Sequence, residues 1–236
     1  MRRSLVLLLI FSMALLVQGC ALLRSPAPIL SDKKQSIPGA YHTVQKRESL
    51  WKICRAYGSS MQDVAEINNI KDTSLIKAGD RIFIPGAVKP IHLSETKPSA
   101  DKTPPEKIIS RPGLFSWPVR GKIIEEYGIY GGIKHDGINI KAPEGAPVKA
   151  AKEGTVAFSG VLDGYGNTII IEHKDNYATV YANNQANLVT KGQTVAKGQK
   201  IAEVGGSPSS KPQPYLHFQI RCDNKPRNPR FYLPKA

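Results

Sequence analysis

The middle of the chain, residues 87–113, most constrains the fold, because it lacks the hydrophobic periodicity that helices and strands require. It contains Lys-Pro pairs, Pro104-Pro105 and scattered charges of both signs, a composition typical of a partly extended linker. We therefore predict two folded blocks, residues 40–86 and 114–236. A length of 236 residues and a hydrophobic content of 41% suffice for two such domains and exclude wholesale disorder.

The formal charge of +14, from 33 Lys and Arg against 19 Asp and Glu, is spread along the chain. The basic residues do not cluster with aromatic residues that could stack on bases, so we predict no nucleic-acid partner. A diffuse positive surface suits an anionic polymer and an acidic membrane face equally well, and solubility alone accounts for most of these charges. With three Cys residues, the chain is not a disulfide-stapled miniprotein.

The N-terminus has the pattern of an export signal. Arg2 and Arg3 precede a mostly apolar run at residues 5–17, which is shorter than the ~18 residues that a membrane-spanning helix needs. The residues that close this run, Leu16-Val17-Gln18-Gly19-Cys20, resemble a bacterial lipobox. The resemblance implies a signal peptide at residues 1–19.

The same resemblance implies that Cys20 becomes the lipidated N-terminus of the mature chain, with residues 20–39 as a tether. The alternative is a soluble secreted protein with a chance Cys at the cleavage site. Residue 21 is Ala rather than Asp, and among Gram-negative lipoproteins this implies anchoring in the outer membrane, facing the periplasm. Cys54 and Cys222 then remain in separate blocks, and we predict no disulfide between them.

The first block has the pattern β-α-α-β. A helix is predicted at residues 50–57, where apolar residues recur at i, i+3, i+4 and i+7 before Gly58. A second helix begins after Ser60, whose hydroxyl is suited to cap it. The block is therefore a small α+β domain. Its predicted strands are residues 41–45 and 81–84.

Three motifs of the first block indicate its family. They are Glu48-Ser49-Leu50-Trp51, Asn68-Asn69 and Ile76…Gly79-Asp80…Ile82…Ile84-Pro85. With them the block resembles a LysM domain along its whole length, which implies binding of N-acetylglucosamine-containing glycans such as peptidoglycan. The positions that the resemblance assigns to glycan contact are Glu48, Ser49, Leu50, Asn69, Leu75 and Ile76. The alternative for each is a structural role, such as helix capping by Ser49 or core packing by Leu50 and Ile76.

The second block is all-β in pattern, because short apolar stretches recur between Gly and Pro residues and none holds a helical period. Regular short strands separated by turn signals favour a sandwich or a barrel. The predicted strands are residues 122–126, 137–140, 147–150, 155–159, 168–173, 177–181, 200–204 and 216–221.

Several motifs of the second block indicate a second family. They are His135-Asp136-Gly137-Ile138-Asn139-Ile140, Gly164-Tyr165-Gly166-Asn167, Ile169-Ile170-Ile171-Glu172-His173, Thr179-Val180-Tyr181-Ala182, Lys191-Gly192-Gln193, Lys197-Gly198-Gln199 and Leu216-His217-Phe218. With them the block resembles the LytM, or lysostaphin-like, peptidoglycan endopeptidase domain, whose all-β fold is a duplicated hybrid motif in a barrel or sandwich. Active members hold one zinc ion through a His, an Asp four residues later and the second His of a His-x-His pair, and two more histidines assist.

The positions that correspond to this zinc site are only partly preserved. His135 and His217 stand where the two histidine ligands are expected, but Asn139 replaces the Asp, and Asn183 and Tyr215 replace the two assisting histidines. A catalytic zinc site needs about three protein ligands and an activated water, and Asn offers only a neutral amide oxygen. We therefore predict a degenerate domain that is not an enzyme, with no catalytic residue, no metal and no other cofactor.

Strand alternation predicts that the former substrate groove keeps its shape. Alternation places Tyr215 and His217 on one face of their strand, and Tyr181 and Asn183 on one face of another. A groove lined by His, Asn and Tyr side chains is also suited to bind a protein, with Tyr215 as an aromatic anchor.

The order of parts, from lipobox through LysM and linker to degenerate LytM domain, resembles the NlpD-type division lipoproteins. That resemblance implies a non-catalytic envelope protein that binds peptidoglycan and activates a periplasmic N-acetylmuramoyl-L-alanine amidase, promoting septal peptidoglycan splitting and daughter-cell separation. The candidate contacts with this partner are His135, Asn139, Asn183, Tyr215 and His217. A zinc metalloendopeptidase that cleaves peptidoglycan cross-links and a plain peptidoglycan-anchoring lipoprotein remain the alternatives.

Overall fold

The structure, a computed structural model, describes residues 36–91, 107–206 and 213–235. The expected signal peptide, Cys20, most of the tether and most of the linker therefore lie outside the described residues. Within the described ranges, no helix has both the length and the apolar character needed to cross a membrane.

The first domain has the order of strands and helices that the sequence predicts, with one short 3-10 helix in addition. Its elements are β1 (Gly39–Thr43), α1 (Leu50–Tyr57), α2 (Met61–Ile67), the 3-10 helix (Thr73–Leu75) and β2 (Arg81–Pro85). Strands β1 and β2 pair antiparallel, with Tyr41 opposite Phe83. The small core lies between this hairpin and the two helices, and Leu50, Val64 and Ile84 are fully buried in it.

Three small residues set the helix boundaries of the first domain. Ser49 Oγ accepts a hydrogen bond from the backbone N–H of Lys52 at 3.3 Å, and Ser60 Oγ accepts one from Asp63 at 3.3 Å. Each serine therefore begins a helix by satisfying a backbone donor that has no partner within the helix. Gly58 ends α1 in the left-handed region, with φ at 63°, which a residue without Cβ adopts at little cost.

The second domain is built almost wholly from strands, as predicted. Its elements are β3 (Lys122–Glu125), β4 (Gly128–Tyr130), β5 (Ile133–His135), β6 (Ile138–Lys141), β7 (Pro147–Lys149), β8 (Gly154–Leu162), β9 (Gly166–Glu172), β10 (Tyr177–Asn187), β11 (Thr194–Val195), β12 (Lys200–Val204), β13 (Tyr215–Cys222), β14 (Lys225–Arg227) and a 3-10 helix (Pro229–Phe231). The main sheet runs in the order β11-β8-β9-β10-β13-β6-β3, with β12 joined to β10 and β7. The sequence missed β4, β5, β11 and β14, which have only two or three residues and so show no alternation.

Alternate residues of neighbouring strands build the core of the second domain. Ile138 and Ile140 of β6 and Leu216 and Phe218 of β13 are all fully buried. The residues between them therefore point to the opposite face of the sheet, as alternation predicts.

Helix α2 carries a polar contact between the two domains. The Glu66 carboxylate accepts hydrogen bonds from the backbone N–H of Asn228 at 3.0 Å and from the hydroxyl of Tyr232 at 3.2 Å. One turn earlier, Asp63 forms an ion pair with Arg227 at 2.8 Å. Both acidic residues belong to the first domain and all three partners belong to the second.

The end of the predicted linker belongs to the same contact. Ile108 packs against the hydrophobic cores of both domains. The backbone of Ile109 exchanges two hydrogen bonds with the side-chain amide of Gln62 on α2, at 2.7 and 3.1 Å. The end of the linker is therefore packed structure rather than an extended spacer, because Ile108 finds apolar surface in both domains and the Ile109 backbone is hydrogen-bonded to α2.

Candidate functional site

Three of the five predicted groove residues lie together on the polar face of the main sheet. Asn139 of β6 is directly opposite His217 of β13, and Asn139 Oδ1 lies 2.7 Å from His217 Nδ1. His135, at the end of β5, places its ring edge-on to that of His217, with 5.3 Å between the ring centroids. The sequence motif around His135 and the alternation of β13 therefore locate a real cluster.

A carboxylate that the sequence analysis missed completes this cluster. Glu125 of β3 pairs with Asn139 in the sheet, and the side-chain amide of Asn139 donates to Glu125 Oε2. The same carboxylate lies 3.6 Å from His135 Nε2, while His135 Nδ1 lies 2.7 Å from the carbonyl oxygen of Glu126. No motif marks Glu125, because a register shift between Ile123 and Glu125 brings it opposite Asn139.

The hydrogen bonds around His217 fix its protonation. Asn139 uses its amide N–H on Glu125, so its oxygen accepts a proton from His217 Nδ1. The other ring nitrogen, Nε2, lies 3.0 Å from the amide nitrogen of Gln219, which can only donate. His217 is therefore a neutral imidazole with both nitrogens engaged. Gln219 is itself held by Arg221, whose Nη1 donates to Gln219 Oε1 at 3.0 Å.

The residues present do not fit a catalytic zinc ion. Such a site needs about three protein ligands with free lone pairs, but His217 offers a lone pair only if the hydrogen bond from Gln219 is broken. Asn139 supplies no negative charge, and its oxygen is already an acceptor. Among the described residues, no group of three or more His, Cys, Asp or Glu side chains is arranged to hold a metal ion.

Asn183 does not follow the strand alternation that the sequence analysis assumed. The backbone of Asn183 has φ at 61°, and the register of β10 shifts between Tyr181 and Asn184. Tyr181 is fully buried in the core, while the Asn183 amide donates to the backbone carbonyl of Tyr215 at 2.7 Å. The prediction that Tyr181 and Asn183 share a face is therefore wrong, because a bulge separates them. Asn183 holds the start of β13 in place.

The ring of Tyr215 is half-buried beside this cluster. Burial raises the pKa of its hydroxyl, and the nearby Glu125 carboxylate raises it further. The hydroxyl therefore stays protonated at neutral pH. Tyr215 thus presents an aromatic surface with a neutral polar tip.

The predicted glycan contacts at the start of α1 differ in exposure. The Glu48 carboxylate accepts from the backbone N–H of Gln45 at 2.7 Å and lies 2.8 Å from His42 Nε2. Ser49 is the N-cap of α1, and the side chain of Leu50 is fully buried in the core. These three residues therefore shape the loop between β1 and α1.

The other predicted glycan contacts lie in two different places. Leu75, in the 3-10 helix, is 69% exposed, and Ile76 beside it is partly buried against the core. Asn69 has φ at 55°, and its side-chain oxygen lies 3.4 Å from the amide of Asn228 in the second domain. Asn69 thus lies at the contact between the domains. Among the six predicted glycan contacts, Leu75 is the one with a large, exposed apolar side chain.

Comparison with known families matches both domains. The LysM domain family model matches residues 42–85, and the model of peptidase family M23 matches residues 133–229. These matches assign the β-α-α-β domain and the strand-rich domain to the families that their motifs indicate.

Two proteins of Escherichia coli are similar to this chain, one over nearly its whole length and one over about half of it. The chain is 34% identical over 249 residues to lipoprotein YgeR of Escherichia coli (strain K12), covering 99% of this chain and 94% of that protein. It is 43% identical over 122 residues to murein hydrolase activator NlpD of Escherichia coli (strain K12), covering 51% of this chain and 31% of that protein. The chain thus spans about a third of the length of NlpD.

Among solved structures, Csd3 of Helicobacter pylori matches with 33% identity and a TM-score of 0.45, covering 52% of this chain and 35% of that chain. The match to YgeR along nearly the whole chain and the two family matches indicate the same family. The chain belongs to the NlpD-type family of lipoproteins, in which a LysM domain is joined to a LytM-like domain of peptidase family M23.

Proposed function

We propose that this chain is a non-catalytic envelope lipoprotein that binds peptidoglycan through its LysM domain and activates a periplasmic N-acetylmuramoyl-L-alanine amidase through its M23 domain. It promotes septal peptidoglycan splitting and daughter-cell separation. The lipid on Cys20 anchors it in the outer membrane, facing the periplasm. One observation carries the proposal. Both ring nitrogens of His217 are hydrogen-bonded to the side-chain amides of Asn139 and Gln219, at the place where a peptidase would need metal ligands.

The electrostatics of the groove argue against hydrolysis by the chain itself. A zinc hydrolase lowers the pKa of a bound water and stabilises the negative charge that develops on the substrate. Here, seating a cation on His217 Nε2 requires breaking the hydrogen bond from Gln219. Each buried polar group left without a partner costs about 1–3 kcal/mol, and the neutral Asn139 returns no charge stabilisation.

The relatives support an activating role. NlpD proteins, which match this chain at 41–43% identity, are named murein hydrolase activators. The match covers 37% and 31% of the length of these relatives. We extend their named activity to this chain and propose an amidase as the murein hydrolase that it activates. The second domain matches peptidase family M23 and keeps a strand-rich fold. A docking role for its groove explains why this scaffold persists without the metal ligands of a peptidase.

The accessible part of the groove is smaller than the predicted set of five. Asn139 is 2% exposed and cannot touch a partner directly; it positions His217. Asn183 supports the backbone of Tyr215. The other four groove residues are partly exposed, and Tyr215 has the largest side chain among them.

A peptidoglycan-release assay tests the proposal. Purified amidase is incubated with labelled sacculi, with and without this chain. We expect release to rise when the chain is added and to be absent with the chain alone. Release by the chain alone would favour the zinc endopeptidase, and binding to sacculi without any effect on an amidase would favour the plain anchoring protein.

The variant Tyr215→Ala locates the docking surface. An aromatic anchor contributes ~2 kcal/mol or more, so its loss weakens docking roughly thirtyfold. Because Asn183 bonds to the backbone of Tyr215, the alanine variant keeps that contact. Val161→Ala, which trims an exposed apolar side chain on β8, is the control and should activate normally. Full activation by a folded Tyr215→Ala chain would exclude this residue as the anchor.

Sacculus pull-down tests the LysM domain. Leu75→Ser removes the exposed apolar side chain and should weaken binding about tenfold, the effect of burying a few methylene groups. Val88→Ser is the matched control, since Val88 is also an exposed aliphatic residue close to this domain. Equal loss in both variants would place the glycan site elsewhere.

Metabolic labelling tests the anchor. Labelled fatty acid should enter the natural chain and not Cys20→Ala, because the lipid is attached at that thiol. Equal labelling of both would refute lipidation at Cys20.

A further inference from the structure

The second domain contains a cavity that is separate from the groove. It has a volume of about 820 Å³ and opens between the segment before β3, the start of β3, strand β7 and the C-terminal 3-10 helix. None of the five groove residues lines it. One wall is apolar, formed by Trp117, Pro118, Ile123 and Pro147.

The other walls of this cavity carry a concentration of positive charge. Arg120, Lys122, Lys149 and Arg230 line it, against the single carboxylate of Glu126. Among the described residues, no ion pair engages Arg120, Lys122 or Lys149. Four cations around one concave space repel one another, and low-dielectric walls focus their field on whatever enters.

One of these cations has an unused donor inside the protein. Arg230 Nε is buried and has no hydrogen-bond partner, and it lies 3.9 Å from Glu126 Oε1, beyond hydrogen-bond distance. A buried donor without a partner is rare in native structures and calls for an acceptor. The side chain as a whole is 29% exposed, so a ligand carboxylate can reach the guanidinium from the cavity, and guanidinium binds carboxylates with well-matched geometry.

The size of the cavity restricts the ligand. A half-open space of this volume suits a small molecule or a short peptide. An inorganic anion would leave the apolar wall uncovered. A short peptide with several carboxylates fills the space and matches both the apolar wall and the charges.

The position of the cavity relates it to the first domain. The Lys71 ammonium is 5.9 Å from the ring centroid of Phe231. Burial lowers the pKa of Lys71, and the nearby charge of Arg230 lowers it further. One residue that lines the cavity, Arg230, therefore lies near the LysM domain. Peptide stems with free carboxylates hang from the glycan strands that the proposed function places on that domain.

We propose that this cavity binds the carboxylates of a peptidoglycan peptide stem. Arg230 and Lys122 hold the acidic groups, and Trp117 packs on the peptide backbone. The inference rests on the proposed association with peptidoglycan, and it adds a second contact that reads the peptide rather than the sugar.

Calorimetric titration of the full chain tests this site with a peptide that lacks sugar. The probes are L-alanyl-γ-D-glutamyl-meso-diaminopimelate and the same peptide with its carboxylates amidated. We expect the acidic peptide to bind and the amidated one to bind at least tenfold more weakly. The affinity should also fall with added salt, since exposed cations contribute.

Paired charge reversals locate the binding. The double variant Lys122→Glu and Lys149→Glu should weaken binding of the acidic peptide at least tenfold. The matched control Lys191→Glu and Lys197→Glu makes the same charge change at exposed positions outside the cavity, and it should bind normally. The single variant Arg120→Gln serves as a milder test if the double variant unfolds.

Three results would overturn the inference: equal binding of both peptides, equal loss in the lining and control variants, or tighter binding of a linear glutamate-rich peptide. The last would assign the cavity to an acidic segment of a protein. Free-peptide binding does not depend on Leu75 or on the amidase assay. If the natural chain does not bind the acidic peptide but still activates the amidase, this site alone is rejected, and if it binds the peptide but activates no amidase, only the activator function is rejected.

Discussion

Two clusters of polar side chains in this chain differ in where their partners come from. Around Glu66, the acceptor lies on a helix of the first domain and the donors Asn228 and Tyr232 lie in the second. Around His217, both partners lie in the main sheet: Asn139 is on the neighbouring strand β6, and Gln219 is on the same strand, β13. The first cluster joins two domains, and the second shapes one surface.

Because of this difference, we expect the cluster around Glu66 to affect the stability of the chain and the cluster around His217 to affect what the groove binds. The carboxylate of Glu66 is 1% exposed, so losing it leaves buried donors in both domains. The groove cluster stands at the surface, and Glu125 and His135 keep contact with water. Changes at Glu66 should therefore alter unfolding of the whole chain, and changes at Asn139 should alter what the groove binds.

The largest effect is expected from Glu66→Ala. The change removes the acceptor for Asn228, Tyr232 and the Gln62 amide, whose Nε2 lies 2.6 Å from Glu66 Oε1. Buried donors left unpaired cost about 1–3 kcal/mol each, partly recovered as water enters, so the free energy of unfolding should fall by about 2–3 kcal/mol. Urea unfolding followed by tryptophan fluorescence measures this loss.

Glu203→Ala is the control for that measurement. Glu203 forms an ion pair with Lys200 at 2.7 Å, but this pair is on the surface. Surface pairs contribute about 0–1 kcal/mol, so the control should unfold nearly as the natural chain does. Equal stability of Glu66→Ala and the control would show that the contact around Glu66 does not hold the domains.

The next effect is expected from Asn139→Asp. The new carboxylate faces Glu125, which has lost its amide donor, so the metal-free chain should lose about 1 kcal/mol of stability. With His135 and His217, the Asp completes a set of three zinc ligands. Zinc should then raise the unfolding midpoint of the variant and not that of the natural chain. No peptidase activity should follow, because Asn183 and Tyr215 supply no assisting imidazole.

Asn176→Asp is a matched control for the zinc effect. The Asn176 amide also donates to a carboxylate, that of Asp223, at 2.9 Å, and both ring nitrogens of the neighbouring His173 are engaged by Glu153 and Thr179. Loss of the amide should have its small cost in both variants, whereas stabilisation by zinc should be confined to Asn139→Asp. Zinc stabilisation of the natural chain at one ion per molecule would instead show that the groove holds metal as it stands.

The sequence predicts what depends on short-range rules. Caps at Ser49 and Ser60 and the glycine stop at Gly58 follow from the chemistry of single residues, and they are confirmed. The alternation of β6 and β13 places Asn139 and His217 on the same face, and their 2.7 Å contact confirms it. Such features need only a regular strand or a helix end.

Features that depend on strand register or on contacts with the other domain could not be predicted from the sequence. Glu125 reaches Asn139 through a register shift, and Asn183 leaves its predicted face through a bulge. Glu66 lies beside the apolar stripe of α2, where a solvated carboxylate is the ordinary expectation; its burial requires Asn228, which is 162 positions away. These are long-range pairings that periodicity within one element does not encode.

The smallest effect is expected in the pH dependence of the contact around Glu66. Burial raises the pKa of this carboxyl above its ordinary value of 4.5, against the lowering effects of hydrogen bonds from Gln62, Asn228 and Tyr232 and of the nearby charge of Arg227. The folded chain therefore binds this proton more tightly than the unfolded chain. Its contribution to stability is complete below pH 4.5 and is lost as the pH rises through the folded pKa.

Glu66→Gln isolates this contribution, because the difference between variant and natural chain cancels groups that titrate equally in both. Glutamine cannot ionise, but one of its amide hydrogens faces the Gln62 donor, so the variant carries a mismatch that does not vary with pH. The variant should be the less stable chain near pH 5, and its deficit should shrink toward pH 7 as the natural chain pays for ionising Glu66. Urea unfolding at several pH values measures this narrowing. A constant deficit would mean that Glu66 keeps one protonation state throughout, and burial of this carboxyl would then not make the contact between the domains sensitive to pH.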